Sequence, residues 1–230
     1  MSNLGIMPAA GLGTRLYPFK GAKELLPLGC QFVGGKKRPK LVCQYGLEAM
    51  SIAGINEIIV PITPKKITPF TDCLSDEEKF GINISYMVTK NTPSMVDTIK
   101  LVLKDHCTER IFFGMPDTCM LPPDCFKQLL QKHLTAKSKL SLGLFRTSEP
   151  QKFGMIKVNQ RNEVIYHKDK PRDTSAKFMW GIAIWEPCFS EYVLKNAERL
   201  PKKQGNELIF GDVMDWFMIR VLLTLEVYFP

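Results

Sequence analysis

The sequence predicts an α/β fold: a mixed, mostly parallel sheet with helices on both faces and one inserted β-hairpin. Three observations carry that expectation. Short apolar runs alternate with amphipathic stretches of helical period through most of the 230 residues, the pattern of strands buried between two helical layers. A glycine-rich loop directly follows the first apolar run. Late in the chain two strand-like segments are joined by a short polar turn, which adds antiparallel pairing.

Taken in order, residues 3–8 ("NLGIMP") read as a buried strand. Residues 39–54 read as a helix with Val42, Tyr45, Ala49, Ile52 and Ala53 on one face and Gly54 past its end. Strands follow at 56–62 and 82–88, then a helix at 94–106 with Met95, Ile99, Val102 and Leu103 inward. Residues 110–117 form a strand that ends on a carboxylate, and 123–134 a helix opened by Pro123 and Asp124. A strand at 139–146 precedes the hairpin, 154–168, which turns at 160–162. A buried strand at 178–185, helices at 187–200 and 208–219, and a closing strand at 225–229 complete the reading. Neither a repeat nor a low-complexity linker interrupts it, so one domain over 1–230 is expected.

Composition narrows the function classes. With 45% hydrophobic and 23% charged residues, the chain is too apolar for a disordered segment and long enough for a core without staples. Its seven cysteines are odd in number and form no CxxC pair, which reads as free thiols in a reducing compartment. The N-terminus has no basic segment leading into an apolar one, and the apolar stretch 213–230 is broken by Asp215, Arg220 and Glu226. A soluble cytoplasmic protein without a membrane partner is expected. The formal charge of +8 favours anionic ligands. "GGKKRPK" (34–40) is the densest basic run. It reads as a nucleic-acid patch or a solvated loop, and the lack of interleaved aromatics or zinc-ligand spacing favours the loop. No nucleic-acid partner is expected.

The chemistry concentrates behind the first strand. Gly11 and Gly13 remove the Cβ atoms that would hold a phosphate off the backbone, Arg15 can grip phosphate oxygens at two points, and Lys23 adds a mobile charge. No GK[ST] follows, so this is not a P-loop, and Leu16 stands where a dinucleotide fingerprint needs its third glycine. A bare GxG also reads as a plain connecting turn.

The whole string "AAGLGTRLYPFKGAKELLPLG" (9–29) resembles the signature of the sugar-1-phosphate nucleotidylyltransferases, the nucleotide-sugar pyrophosphorylases. The likeness is to their glucose-1-phosphate thymidylyltransferase and UTP–glucose-1-phosphate uridylyltransferase branch. Later landmarks of that family recur in order: "FFGMPD" (112–117), "FGMIKV" (153–158), "HKDKP" (167–171) and "MWGIAIW" (179–185). The resemblance implies a Rossmann-like three-layer nucleotide-diphospho-sugar transferase fold. It also implies attack by a sugar-1-phosphate oxygen on the α-phosphorus of an NTP, yielding NDP-sugar and pyrophosphate. Such a reaction needs two anions aligned and their charge stabilised.

By the same resemblance, Ala10, Gly11, Gly13 and Thr14 hold the nucleotide, and Arg15 and Lys23 are the catalytic cations on the triphosphate. Asp117 matches the Mg²⁺-binding aspartate. Taken alone, its other reading is a turn or helix-capping residue. Lys170 matches a sugar-phosphate contact, Asp169 stands where the family has a glutamate for a sugar hydroxyl, and Gly154 and Gly181 let the sugar approach backbone. Alone, these two glycines also read as a turn and a strand bulge.

Departures are specific. The base-reading loop corresponds to "TKNTPSMV" (89–96), with Thr89 for glutamine and Ser94 for glycine, which leaves TTP, UTP, CTP and GTP open. Ala22 replaces a proline before the loop lysine, and Pro116 a glycine before the metal aspartate. The family's later G-x-(W/Y)-x-D-x-G-T segment, with its second metal aspartate, is not reached by Pro230. Asp97, Asp212 and Asp215 are conceivable substitutes for that aspartate, but each falls on a predicted helix and reads more readily as a surface or capping residue. The expectation is therefore a nucleotidylyltransferase lacking the family's C-terminal end, acting on an NTP and a sugar-1-phosphate with Mg²⁺. Its alternative is a catalytically weakened binding relative. A homo-oligomer is compatible with either.

Overall fold

The computed structural model describes residues 2–11, 13, 16–74, 81–90, 92–199, 209–215, 217 and 223–224. A nine-stranded sheet runs through it, and its main path is ordered β11-β7-β10-β6-β1-β4-β5. The central strands are β1 (Asn3–Ile6), β4 (Glu57–Ile62), β5 (Asn83–Val88) and β6 (Arg110–Gly114). All pair in parallel, with β1 between β4 and β6. β7 (Leu140–Arg146) and β10 (Phe178–Trp185) join them antiparallel through β10. β11 (Leu223–Thr224) lies parallel to β7, and the expected strand at 225–229 lies outside the described residues. The hairpin β8 (Gly154–Val158) and β9 (Val164–Asp169) hangs on β10 as expected. The sheet is thus mixed and mostly parallel.

Alternation along each strand explains the continuous apolar runs. In β6, Phe112 faces one core while Ile111 and Phe113 face the other. The first core is closed by α1 (Val42–Ile52), α2 (Pro64–Leu74) and α4 (Cys125–Thr135), through Leu47, Met50, Phe70, Phe126 and Leu129. The second is closed by α3 (Met95–Leu103), α5 (Pro187–Asn196) and α6 (Phe210–Asp215), through Ile99, Val102, Phe189, Val193 and Met214. No helix among the described residues is long and apolar enough to cross a membrane.

Three local expectations are corrected. The basic run is not a loop: Lys36–Leu41 form strand β3, paired antiparallel with β2 (Pro27–Val33). Gly34 and Gly35 adopt φ of +56° and +75° between the paired Val33 and Lys36, the two-residue turn that demands φ > 0 at both positions. Second, the helix expected from residue 39 starts at Val42; Val42 and Ala49 are buried as expected, but so are Cys43, Gly46, Leu47 and Met50, while Ile52 is exposed. The reason is Gly46, where an added Cβ would stand 2.7 Å from Met7 Cε. The bare backbone lets the sheet approach on that side. Third, α2 fills a stretch to which the sequence reading assigns no element; Pro64 opens it at the first helical position and Pro69 lies inside it.

Candidate active site

Four parallel strands deliver their carboxyl ends to one edge, with the reversal of strand order at β1, the position at which open α/β sheets bind ligands. From β1 comes the loop through Ala9, Ala10 and Gly11. From β4 come Thr63 and the first turn of α2, from β5 the segment that leads to Ser94, and from β6 Met115, Pro116 and Asp117. Because β10 runs antiparallel to β6, with Ile182 opposite Gly114, its first residues reach the same edge. The Gly154 end of β8 is brought alongside by the pairing of Met155 with Met179.

Two cavities open there. The first, about 230 Å³, is lined by Ala10, Gly11, Lys23, Ser94 and Asp117 among others. The second, about 440 Å³, is lined by Gly154, Asp169, Lys170 and Gly181, together with His167 and Trp180. Asp117, Met95 and Met115 border both. The expected nucleotide and sugar residues are therefore divided between two neighbouring spaces that share one carboxylate. Gly13, with φ of +66°, is in the left-handed region that glycine tolerates. It does not line the first cavity. Thr14 and Arg15 lie outside the described residues.

Lys23 leads a short 3₁₀ turn, Lys23–Leu25, and its Nζ donates to Asp117 Oδ2 at 2.5 Å. Each side chain is about a quarter exposed, 22% and 27%, so the pair faces the cavity rather than the core. Lys170 Nζ lies 3.4 Å from Asp169 Oδ2 and is about half exposed. Its backbone, at φ +45°, is held by a hydrogen bond from its N–H to the Phe153 carbonyl.

Both candidate sugar-site glycines also have packing reasons. A Cβ on Gly154 would stand 2.7 Å from Trp180 Nε1, and one on Gly181 2.7 Å from the Phe145 ring. The β7–β10 register shifts between Trp180 and Ile182, so Gly181 sits at a bulge as well as at the cavity.

Among the described residues no group of three or more His, Cys, Asp or Glu is arranged to hold a metal by itself. Asp97 is occupied at the α3 N-terminus, where Ser94 Oγ donates to its Oδ2 at 2.6 Å. Asp212 lies in the first turn of α6, and the Asp215 side chain is outside the description. Asp117 is an oxygen donor at the common border of the two cavities. It fits a hard cation whose remaining ligands are phosphate oxygens and water.

In the loop matched to base reading, Thr92, Pro93 and Ser94 line the first cavity. Thr89 does not; it is buried, with its N–H bonded to the Ile62 carbonyl at 2.8 Å. Sequence reasoning missed Glu24 and Lys66. Glu24 follows Lys23 directly, is 1% exposed, and lines the first cavity. Lys66, in the unexpected helix α2, donates to both Glu24 carboxylate oxygens.

Known proteins resemble this chain over most of its length. The sequence profile of the family described as nucleotidyl transferase matches residues 4–214. A glucose-1-phosphate thymidylyltransferase of Neisseria meningitidis is 28% identical over 238 residues, covering 97% of this chain and 74% of that protein. One from Mycolicibacterium smegmatis is 24% identical over 228 residues, covering 97% and 73%. Among solved structures, the chain superposes with a TM-score of 0.79 at 20% identity on a Bacillus anthracis protein assigned as a glucose-1-phosphate thymidylyltransferase, in complex with sucrose. That match covers 99% of this chain and 87% of the other. A UDP-glucose pyrophosphorylase complexed with UDP-glucose gives 0.73 at 20% identity, covering 93% and 86%. The structural likenesses establish the nucleotide-diphospho-sugar transferase fold.

Proposed function

The chain belongs to the nucleotidyl transferase family, and from that premise we propose that it transfers a nucleotidyl group from an NTP to a sugar-1-phosphate. A phosphate oxygen of the sugar-1-phosphate bonds to the α-phosphorus. The α–β phosphoanhydride bond breaks, and its electron pair leaves with pyrophosphate. The observation that carries this reading is the pair of adjoining cavities bordered in common by Asp117. Two substrates held in separate spaces with one shared edge suit an in-line displacement between them.

In this reading Ala10 and Gly11 take the nucleotide side, with Gly13 and Thr14 completing the loop. Lys23 and Arg15 stabilise the triphosphate and the departing pyrophosphate. Gly154, Asp169, Lys170 and Gly181 take the sugar phosphate, with Lys170 as its cation. Asp117 would hold Mg²⁺ together with phosphate oxygens. The ion would supply neutralisation of charge on the phosphates. The whole chain, 1–230, acts as one nucleotidyltransferase domain. Its seven free thiols support a reducing, cytoplasmic setting.

Pyrophosphate release with Mg²⁺, over a grid of common NTPs and sugar-1-phosphates, tests the proposal. Release that requires both substrates is expected, and the productive combination identifies base and sugar. A second reading, a binding relative without turnover, is favoured by one observation: among the described residues Asp117 is the sole carboxylate that borders both cavities, and Lys23 is already bound to it. Nucleotide binding with no release across the grid would replace the first reading by the second.

A further inference from the structure

We propose that Lys66 is a positioning residue for the nucleotide site. Its ammonium pins the glycine loop by two carbonyls and masks the Glu24 carboxylate from the triphosphate. The inference rests on the nucleotide-binding part of the proposed function.

Lys66 Nζ donates to the carbonyl oxygens of Ala9 at 2.9 Å and Gly11 at 2.8 Å, and to Glu24 Oε1 and Oε2 at 2.9 and 3.0 Å. An ammonium has three N–H donors, and four acceptor atoms already surround them. No proton is left for a substrate, so Lys66 acts through its neighbours.

Those neighbours are the ones that matter for an anion. Gly11 and Glu24 line the first cavity. Two backbone carbonyls and a carboxylate would each present negative charge to a triphosphate if uncompensated. With Lys66 in place, the carbonyls are turned onto the ammonium and the carboxylate is paired. The same contact braces the 3₁₀ turn Lys23–Leu25, in which Glu24 is next to the Lys23 that reaches Asp117. One side chain from the carboxyl end of β4 therefore sets both the loop after β1 and the turn that carries the cavity lysine.

The pair is buried, with side-chain exposures of 13% for Lys66 and 1% for Glu24. Removing one partner leaves the other's charge uncompensated. The two removals have opposite consequences for an anion nearby, which separates this role from that of a plain structural brace.

Titration of the full chain with dTTP, UTP, CTP and GTP, each with Mg²⁺, provides the test. Lys66→Met is expected to weaken nucleotide binding about tenfold or more, the effect of one uncompensated charge at several Å in a partly dry site. Glu24→Gln is expected to bind as tightly as the parent or tighter, and glucose-1-phosphate binding is expected to stay unchanged in both. Nucleotide binding by folded Lys66→Met equal to the parent's would overturn the proposal. So would weakening by Glu24→Gln, which decides the matter even if Lys66→Met does not fold. Hydrogen exchange of the backbone over residues 9–13, without nucleotide, gives an independent reading: it should quicken in Lys66→Met, and unchanged exchange would refute the pinning. A parent chain that binds none of these four nucleotides would sink the proposed function, while the exchange measurement would still judge the clamp.

Discussion

Lys23 and Asp117, 94 residues apart in the chain, meet through a 2.5 Å contact at the border between two cavities. The pair joins the loop behind β1 to the end of β6, so cation and carboxylate are presented at one point by two parallel strands. Its partial exposure (22% and 27%) means that solvent screens it. A pair of that kind contributes about 0–1 kcal/mol to stability.

Asp117→Asn is therefore expected to melt close to the parent while losing roughly 10²–10³-fold in turnover, the usual cost of removing one charge-stabilising group. Lys23→Gln should behave alike, with the KM for sugar-1-phosphate unchanged if that substrate takes the other cavity, as proposed. Pyrophosphate release and thermal melts on the same samples decide it. A loss of stability that tracks the loss of rate would make the pair structural.

Gly181→Ala separates packing from substrate contact. The new Cβ would stand 2.7 Å from Phe145, a fully buried ring, and an overpacked core costs about 1–3 kcal/mol. A lowered urea midpoint with no substrate present is expected. Unaltered stability with a raised KM for sugar-1-phosphate would instead assign this glycine wholly to the ligand.

What was legible in the sequence was whatever burial writes into it. β6 and β10 are buried on both faces, so they appear as unbroken apolar runs, "IFFG" and "GIAIW". α3 is buried on one face and shows its period; Met95, partly buried, packs against that core and also borders the cavities. The β2–β3 hairpin is held by pairing rather than burial, and its exposed lysines carry no alternation; only Gly34-Gly35 signalled the turn. At the site, residues inside a contiguous motif, such as Gly11 and Lys23, were legible. Lys66 was not, because its meaning lies in a meeting with Glu24 and two carbonyls that no local spacing encodes. The face of α1 was only partly legible: Val42 and Ala49 are buried as read, but a glycine counts as neutral in a periodicity, whereas Gly46 marks the side that approaches Met7.

The cysteines should divide by depth. Burial pushes the Cys43 and Cys125 thiols up to about 12, which removes the thiolate needed for reaction at neutral pH. Cys30, Cys73 and Cys188 are exposed, and Cys107 and Cys119 are half-buried. Titration with a disulfide reagent at pH 7.5 should show three fast thiols in the native protein and seven after denaturation. Fast modification of Cys43 or Cys125, located by peptide mapping, would contradict the packing of α1 and α4.

At the opposite edge of the sheet, Glu186 Oε1 accepts from Arg110 Nε at 2.6 Å and from His133 Nε2 at 2.9 Å. A carboxylate only accepts, so His133 carries its proton on Nε2, and as a neutral ring its Nδ1 accepts from the Ser141 hydroxyl 2.7 Å away. Burial lowers the His133 pKa below the ordinary 6.5, and Glu186 only partly opposes this. For Glu186, burial pulls upward, but the hydrogen bonds from Arg110 and His133 and the charge of Arg110 outweigh it and hold the carboxyl below its ordinary 4.5. Both signs run the same way. Below about pH 6.5 the unfolded chain takes up a proton on His133 that the folded chain refuses, and below about 4.5 it does so on Glu186. Stability therefore falls on acidification in two windows, each with a slope of at most about 1.4 kcal/mol per pH unit. His133→Gln, whose amide can donate to Glu186 and accept from Ser141, removes the upper titration and keeps the lower one. Urea midpoints measured from pH 7.5 to 4 should show the parent declining from about 6.5 and the variant holding until near 4.5. Superimposable profiles would mean that His133 titrates alike in both states.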